Sequence, residues 1–244
     1  MIASPISKLL RRPLVLLACL LAGLAQAQTP APTGKDSMAE RVKPCFACHG
    51  PEGQASSTGY LPRIAGKPAG YLFNQLRHFR DGRRNNDRMA QMVQHLSDDY
   101  LAEMAQYFSG LNLPYATVKN AALAATSPTV LARGETLATL GDKQLDLPAC
   151  AQCHGQALTG RLPAIPGLLG LPRDYLVAQV GAWNNGQRHA REPDCMQSIA
   201  RRLSAADLYA VSSWLALQSV PLHARAVAPD AQALPLKCGS AAAP

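Results

Sequence analysis

The chain has 244 residues, of which 48% are apolar but only 5% aromatic, with four Phe and two Trp. That is thin for two self-sufficient cores of roughly 100 residues each, and a buried cofactor would supply the missing apolar bulk. Three of the 24 basic residues and none of the 16 acidic ones precede Gln28, so the formal +8 falls to +5 beyond that point. No Lys/Arg run of the kind that binds nucleic acid or anionic lipid occurs, which sets those partner classes aside.

Residues 1–27 read as a cleaved signal peptide. Lys8, Arg11 and Arg12 form its positive start, Pro13 to Leu24 its apolar stretch, and Ala25-Gln26-Ala27 its cleavage site, giving a mature start at Gln28. The apolar stretch is far shorter than the ~18 residues that a spanning helix needs. A lipoprotein reading through Cys19 would truncate it further, and Arg11-Arg12 lacks the usual flanks of a twin-arginine signal. The expected destination is an oxidising, periplasm-like compartment.

A short helix is expected around Asp36 to Lys43, leading into Cys45-Phe46-Ala47-Cys48-His49. This Cys-x-x-Cys-His pattern is that of a c-type haem attachment site: two thiols bond covalently to the porphyrin vinyl groups and the next residue offers an imidazole to the iron. Cys-x-x-Cys also serves zinc and dithiol redox sites, so one copy alone is ambiguous. Next, Tyr71, Leu72, Gln75, Leu76 and Phe79 form a helical stripe entered at Pro68 and closed by Gly82. Ser97 is a good N-cap, followed by Asp98 and Asp99 at the positive helix end. Leu101, Met104, Ala105 and Phe108 form the buried face of that helix, and Gly110 its stop.

Pro114, Asn120 and Ser127-Pro128 interrupt the periodicity, and beyond them the pattern repeats. After a helix around Val130 to Leu140, Cys150-Ala151-Gln152-Cys153-His154 follows the first motif at an offset of 105 residues. Pro62 and Gly66 match Pro166 and Gly170, Tyr71-Leu72 and Gln75 match Tyr175-Leu176 and Gln179, and Asp81-Gly82-Arg83-Arg84 resembles Asn185-Gly186-Gln187-Arg188. Leu203-Ser204 repeats Leu96-Ser97, with Leu208, Val211 and Leu215 as the next buried face. The repeat resolves the ambiguity of the motif in favour of two covalently bound haems c. No stretch alternates as a strand should, so the fold is expected to be all-α, with tandem helical domains at 28–117 and 118–224. The Ala/Pro-rich residues 225–244 read as an extended or poorly ordered tail.

His49 and His154 each supply one axial ligand, and a thioether on the far side would make an electron-transfer haem. Met196 is the sole candidate in the second half, eight residues before Ser204; Met89 stands eight before Ser97, whereas Met92 stands five before. Matched register favours Met89, leaving core packing for Met92 and Met104. His78, His95, His189 and His223 have no equivalents in the other repeat and read as surface or helix-terminal residues, with His189 in the segment entering Met196.

From about Ser37 to Val220, the two Cys-x-x-Cys-His-Gly sites, the Pro62 and Pro166 stretches, Tyr-Leu-x-x-Gln and the Met register before Leu-Ser resemble the dihaem cytochrome c4 family. Each half of such a protein is a class I cytochrome c domain. The resemblance implies that the Pro62 and Pro166 carbonyls support His49 and His154. It also implies a pseudo-two-fold pairing of the domains, with haem propionates facing one another so that electrons pass between the irons. Three features depart from it: Met196 stands ten positions after Gly186 where Met89 stands seven after Gly82, Cys195 directly precedes Met196, and the tail after Pro221 is extra.

The implied function is that of an electron carrier with no bond chemistry of its own. It would take electrons from a quinol-oxidising complex or dehydrogenase and pass them to a terminal oxidase or reductase, meeting a membrane only through such partners. The rivals are a thiosulfate-oxidising dihaem enzyme using Cys195 as a thiolate ligand, and the cytochrome subunit of a dehydrogenase. Cys195 and Cys238 are left over once the signal and the haem sites have used the other five cysteines. In an oxidising compartment such a pair can form a disulfide stapling the tail beside the Met196 loop. Two unrelated thiols, or ligation by Cys195, are the other readings.

Overall fold

The computed structural model describes residues 36–55, 61–115, 125–222, 224–229 and 233–242. The signal peptide with Cys19, Asn120, the expected seam at Thr117 and Val118, and His223 lie outside the described residues.

The first half begins with α1 (Met38–Arg41) and α2 (Lys43–His49), continuing through α3 (Ala69–Arg80), α4 (Asp87–Val93) and α5 (Asp98–Gly110). Pro68 stands at the start of α3, where its missing N–H is no loss, and Asp81-Gly82 ends it, Gly82 taking a φ of 72°. Ser97 Oγ accepts the Tyr100 N–H at 3.2 Å and starts α5, which buries Leu101, Met104, Ala105 and Phe108 as their spacing predicts. These meet Leu72, Phe73 and Phe79 of α3, Val93 of α4 and Val42 in one core. Phe46 closes it edge-on against Phe108, with ring centroids 6.4 Å apart.

The second half contains α6 (Pro128–Thr139), α7 (Cys150–His154), α8 (Arg173–Asn184), α9 (Cys195–Arg202) and α10 (Ala205–Leu217). Ser127 and Ser204 cap α6 and α10 through their hydroxyls. Here α6 and α10 come so close that Gly134 abuts the Ala210 carbonyl, with no room for a Cβ. Leu137, Ala138, Leu176, Val211 and Leu215 anchor a second core that shares no residue with the first.

The fold is all-α, with one small departure from the strand-free expectation. Gly160–Arg161 (β1) and Ile165–Pro166 (β2) pair antiparallel around a turn containing Pro163. Residues this few carry no readable alternation. Of the readings of the tail, the extended and stapled one is what the structure shows. It is extended but held: Val227 N donates to Gly160 O at 2.9 Å, and Leu162 N donates back to Val227 O at 2.8 Å. Further on, Gly239 N donates to Pro193 O, Arg191 N to Ser240 Oγ, and Asn74 Nδ2 of the first half to Ser240 O. Cys238 forms a disulfide with Cys195, their Cα atoms 5.1 Å apart.

Residues 38–244 form one compact unit, within which the halves meet at repeat-related positions. Arg84 and Arg188 pair as an antiparallel bridge, Asn85 N donates to Gln187 O at 2.8 Å, and His189 N to Arg83 O at 2.6 Å. Among the described residues, no helix is long and apolar enough to cross a membrane.

Candidate haem sites

Each Cys-x-x-Cys-His motif forms a short helix that delivers its histidine to the interior. In α2, His49 is buried while Cys48 is exposed, and Gly50, at a φ of 74°, turns the chain away immediately after the histidine. In α7, Gln152 Oε1 accepts the Ala149 N–H at 2.8 Å and fixes the first turn, with Gly155 at a φ of 84° after His154. The left-handed backbone explains glycine at both sixth positions.

The two histidines are held alike. His49 Nδ1 lies 2.8 Å from Pro62 O and His154 Nδ1 2.7 Å from Pro166 O. A carbonyl only accepts, so each Nδ1 carries the proton and each Nε2 keeps a free lone pair. Burial lowers both imidazole pKa values, more than the prolyl carbonyls raise them, so both rings are neutral at pH 7. Burial pushes Cys45 and Cys153 upward, and Cys150 up to about 11. Such thiols are protonated, which does not suit a dithiol nucleophile. Nor do three His, Cys, Asp or Glu side chains converge among the described residues as a metal cluster requires.

One cavity of about 880 Å³ is lined by residues of both halves. It brings together Cys45, Cys48, His49, Pro62 and Met89 of the first half with Cys153, His154, Pro166 and Met196 of the second. Cys150 is the exception: it packs against the second core, its Sγ 3.8 Å from Leu137 O. Met89 occupies the first turn of α4, where its own N–H donates to the cap Asn86 Oδ1 at 3.1 Å. Met196 occupies the first turn of α9, where Asp194 Oδ1 accepts Gln197 N at 3.1 Å. Met104 fills the core as expected, but Met92 does not: it is 51% exposed and also reaches the cavity.

Several residues at the cavity were given no role there by the sequence, although the repeat aligned most of them. Arg84 donates to Gln75 Oε1 at 2.9 Å and to Gln179 Oε1 at 2.5 Å. Arg188 donates to the same two oxygens at 2.9 and 3.0 Å. Arg84 stacks over Phe79 and Arg188 over Trp183, at 4.6 and 3.9 Å from the ring centres. Lys67 is buried and donates from Nζ to Gly167 O at 3.2 Å. Burial, followed by the neighbouring Arg84 charge, brings Arg188 down to about 10, and burial brings Lys67 down to about 8. Burial alone would raise the Tyr71 phenol, but Arg188, Arg84 and Lys67 together pull it below its ordinary value.

A histidine and an aspartate also line the cavity. His78 stands in the last turn of α3, in keeping with the helix-terminal reading, but is buried at the cavity rather than on the surface, its pKa lowered to about 4 by burial first and then by Arg188, Arg83 and Arg84. Asp194, buried beside Met196, accepts Trp183 Nε1 at 3.1 Å and Ala190 N at 2.6 Å besides capping α9. His189 braces the same loop, its Nε2 bonded to Gly186 O and its Nδ1 to the Gln197 amide. The repeat had aligned Arg84 with Arg188, yet burial, which makes the pair informative, has no signature in spacing.

These features fit porphyrins. The apolar walls suit the ring faces, each free Nε2 suits an iron, and buried cations whose hydrogen-bond acceptors are neutral suit propionate carboxylates. The cytochrome c4 of Pseudomonas aeruginosa is 32% identical over 82% of this chain and 94% of its own length. The chain belongs to the dihaem cytochrome c4 family. A model for the family described as cytochrome c oxidase, cbb3-type, subunit III matches residues 31–108 of this cytochrome. The solved cytochrome c4 of Pseudomonas stutzeri superposes with a TM-score of 0.62 at 28% identity, covering 73% of this chain and 95% of that one. A relative from Thiomonas intermedia, named a thiosulfate dehydrogenase electron acceptor, is 39% identical over 71% of this chain and 78% of its own. This c4-family protein is therefore a dihaem c-type electron-transfer cytochrome with two covalently bound haems c and redox proteins as partners.

Proposed function

We propose that this cytochrome is a periplasmic carrier that accepts electrons from a dehydrogenase of the thiosulfate-oxidising class and delivers them to a terminal oxidase or reductase. In this reading, residues 28–117 and 118–224 are monohaem domains and residues 1–27 the export signal. Cys45 and Cys48, and Cys150 and Cys153, would hold the two porphyrins. His49 with Met89, and His154 with Met196, would hold the irons. Each bound haem supplies one reversible ferric–ferrous couple. The chain's own residues hold each imidazole in its metal-binding tautomer, keep water from the rings and set the surrounding charge.

The observation that carries this reading is that each half offers a histidine and a methionine to the same cavity, while Cys195 is engaged by Cys238. Six-coordinate irons leave no position for a substrate, and a sulfur in a disulfide is not a thiolate ligand. A quinol-oxidising complex as donor fits the same site chemistry, but the name of the Thiomonas relative supports the dehydrogenase. The two haems also match the two electrons released when two thiosulfate ions couple through a new S–S bond.

The test is stopped-flow absorbance of the oxidised, haem-loaded protein mixed with thiosulfate, with and without a purified thiosulfate dehydrogenase. Rapid reduction only in the presence of the dehydrogenase is expected. Reduction by thiosulfate alone would make the chain an enzyme, and reduction only by a quinol-oxidising complex would assign the other donor.

A further inference from the structure

Two of the cavity's arginines, Arg84 and Arg188, are related by the repeat, whereas its lysine is not. Arg84 and Arg188 occupy equivalent repeat positions and share the same two glutamine acceptors, so they bear comparably on both halves. Lys67 has no counterpart: the matching position holds Leu171, a member of the second core. Lys67 belongs to the first half, but its Nζ reaches across to Gly167 O. Gly167 directly follows Pro166, whose carbonyl holds His154 Nδ1. The ammonium therefore lies against the segment that supports the second half's imidazole. Groups facing the ammonium include Tyr71 and Arg63, neither of which is a carboxylate.

We propose that Lys67, contributed by the first half, is a positioning charge that selectively raises the reduction potential of the haem held by His154 in the second. Taking up an electron lowers the charge of that site by one, which a fixed buried cation favours. An ammonium is a compact point charge, so the effect falls on the nearer site. An electron shared between the haems is thereby biased toward the second half.

The inference rests on the His/Met assignment above, which is checked separately: the Met89→Ala and Met196→Ala variants assign the axial-methionine resonances of the reduced protein to one haem each. With those in hand, the haem-loaded wild type, Lys67→Met and Lys67→Gln are titrated by spectroelectrochemistry and NMR. The electron distribution is expected to move away from the His154 haem about tenfold in both variants, which for one electron is 59 mV. The His49 haem should hold its potential. Lys67→Gln can still donate to Gly167 O but has no charge, so wild-type behaviour of this variant would overturn the proposal in favour of the hydrogen bond. Equal shifts in both haems, or a shift confined to the His49 haem, would overturn it too. By linkage, reducing the His154 haem must tighten proton binding at Lys67 by the same factor. The Lys67 ε-carbon resonance followed against pH in both redox states reads this independently, and identical curves would count against the idea.

Discussion

Asp194 shows how much can hang on one side chain. Its carboxylate caps the helix carrying Met196 and satisfies the Trp183 indole and the Ala190 amide. Asp194→Ala strands two buried donors and removes a cap, so a loss of about 3 kcal/mol in denaturant unfolding is expected, with a weakened methionine-to-iron charge-transfer band. Asp194→Asn, which keeps one acceptor oxygen, should lose about half as much. His78 carries a pH prediction. Its folded pKa of about 4 lies below the ordinary 6.5, so between those values the unfolded chain binds a proton that the native chain does not. Stability should therefore fall as pH drops from 6.5 to 4, by up to about 3 kcal/mol, and His78→Gln should flatten that part of the profile. At this scale the motif residues were legible, because covalent attachment demands fixed spacing. Asp194, His78 and Lys67 were not, because their roles come from burial created by residues distant in the sequence.

Among the elements, the capped helices were the most readable. Ser97 and Ser204 announce α5 and α10 through local chemistry, and the buried faces that follow keep the helical period. The tail was readable only by counting cysteines. Its backbone pairing with β1 needs a partner that sequence order keeps far away, which is why composition alone left it as extended or poorly ordered. The disulfide closes a loop of 43 residues, which by chain-entropy reasoning is worth about 4 kcal/mol. Cys238→Ser should lower the stability of the second half by that order. Native-state hydrogen exchange should show faster exchange at Gly239 and Arg191, whose N–H groups the tail contacts hold. Unchanged protection at both amides would mean that the backbone bonds hold the tail without the disulfide.

At the scale of the molecule, two cores that share no residue are joined through Gln75 and Gln179, each of which accepts from both Arg84 and Arg188. The repeat made two similar halves legible, but not this crossing, because a sequence repeat carries no information on how its copies face each other. The wild type should unfold in guanidinium as one transition seen by both haem bands. Gln75→Leu combined with Gln179→Leu leaves the guanidiniums without those acceptors and should separate the transition into two, with a coupling energy between the single variants of about 1 kcal/mol or more. A single coincident transition in the double variant would show that other contacts unite the halves. The tail has a consequence for how such a molecule is made. Leu236, Cys238 and Ser240 form part of the cavity wall, and Ser240 is bonded to both halves. All three follow every residue proposed above to hold a porphyrin, so they leave the ribosome after those residues. The porphyrins can be loaded into an open chamber before the latch closes over it, and a disulfide formed too early would shut the maturation machinery out.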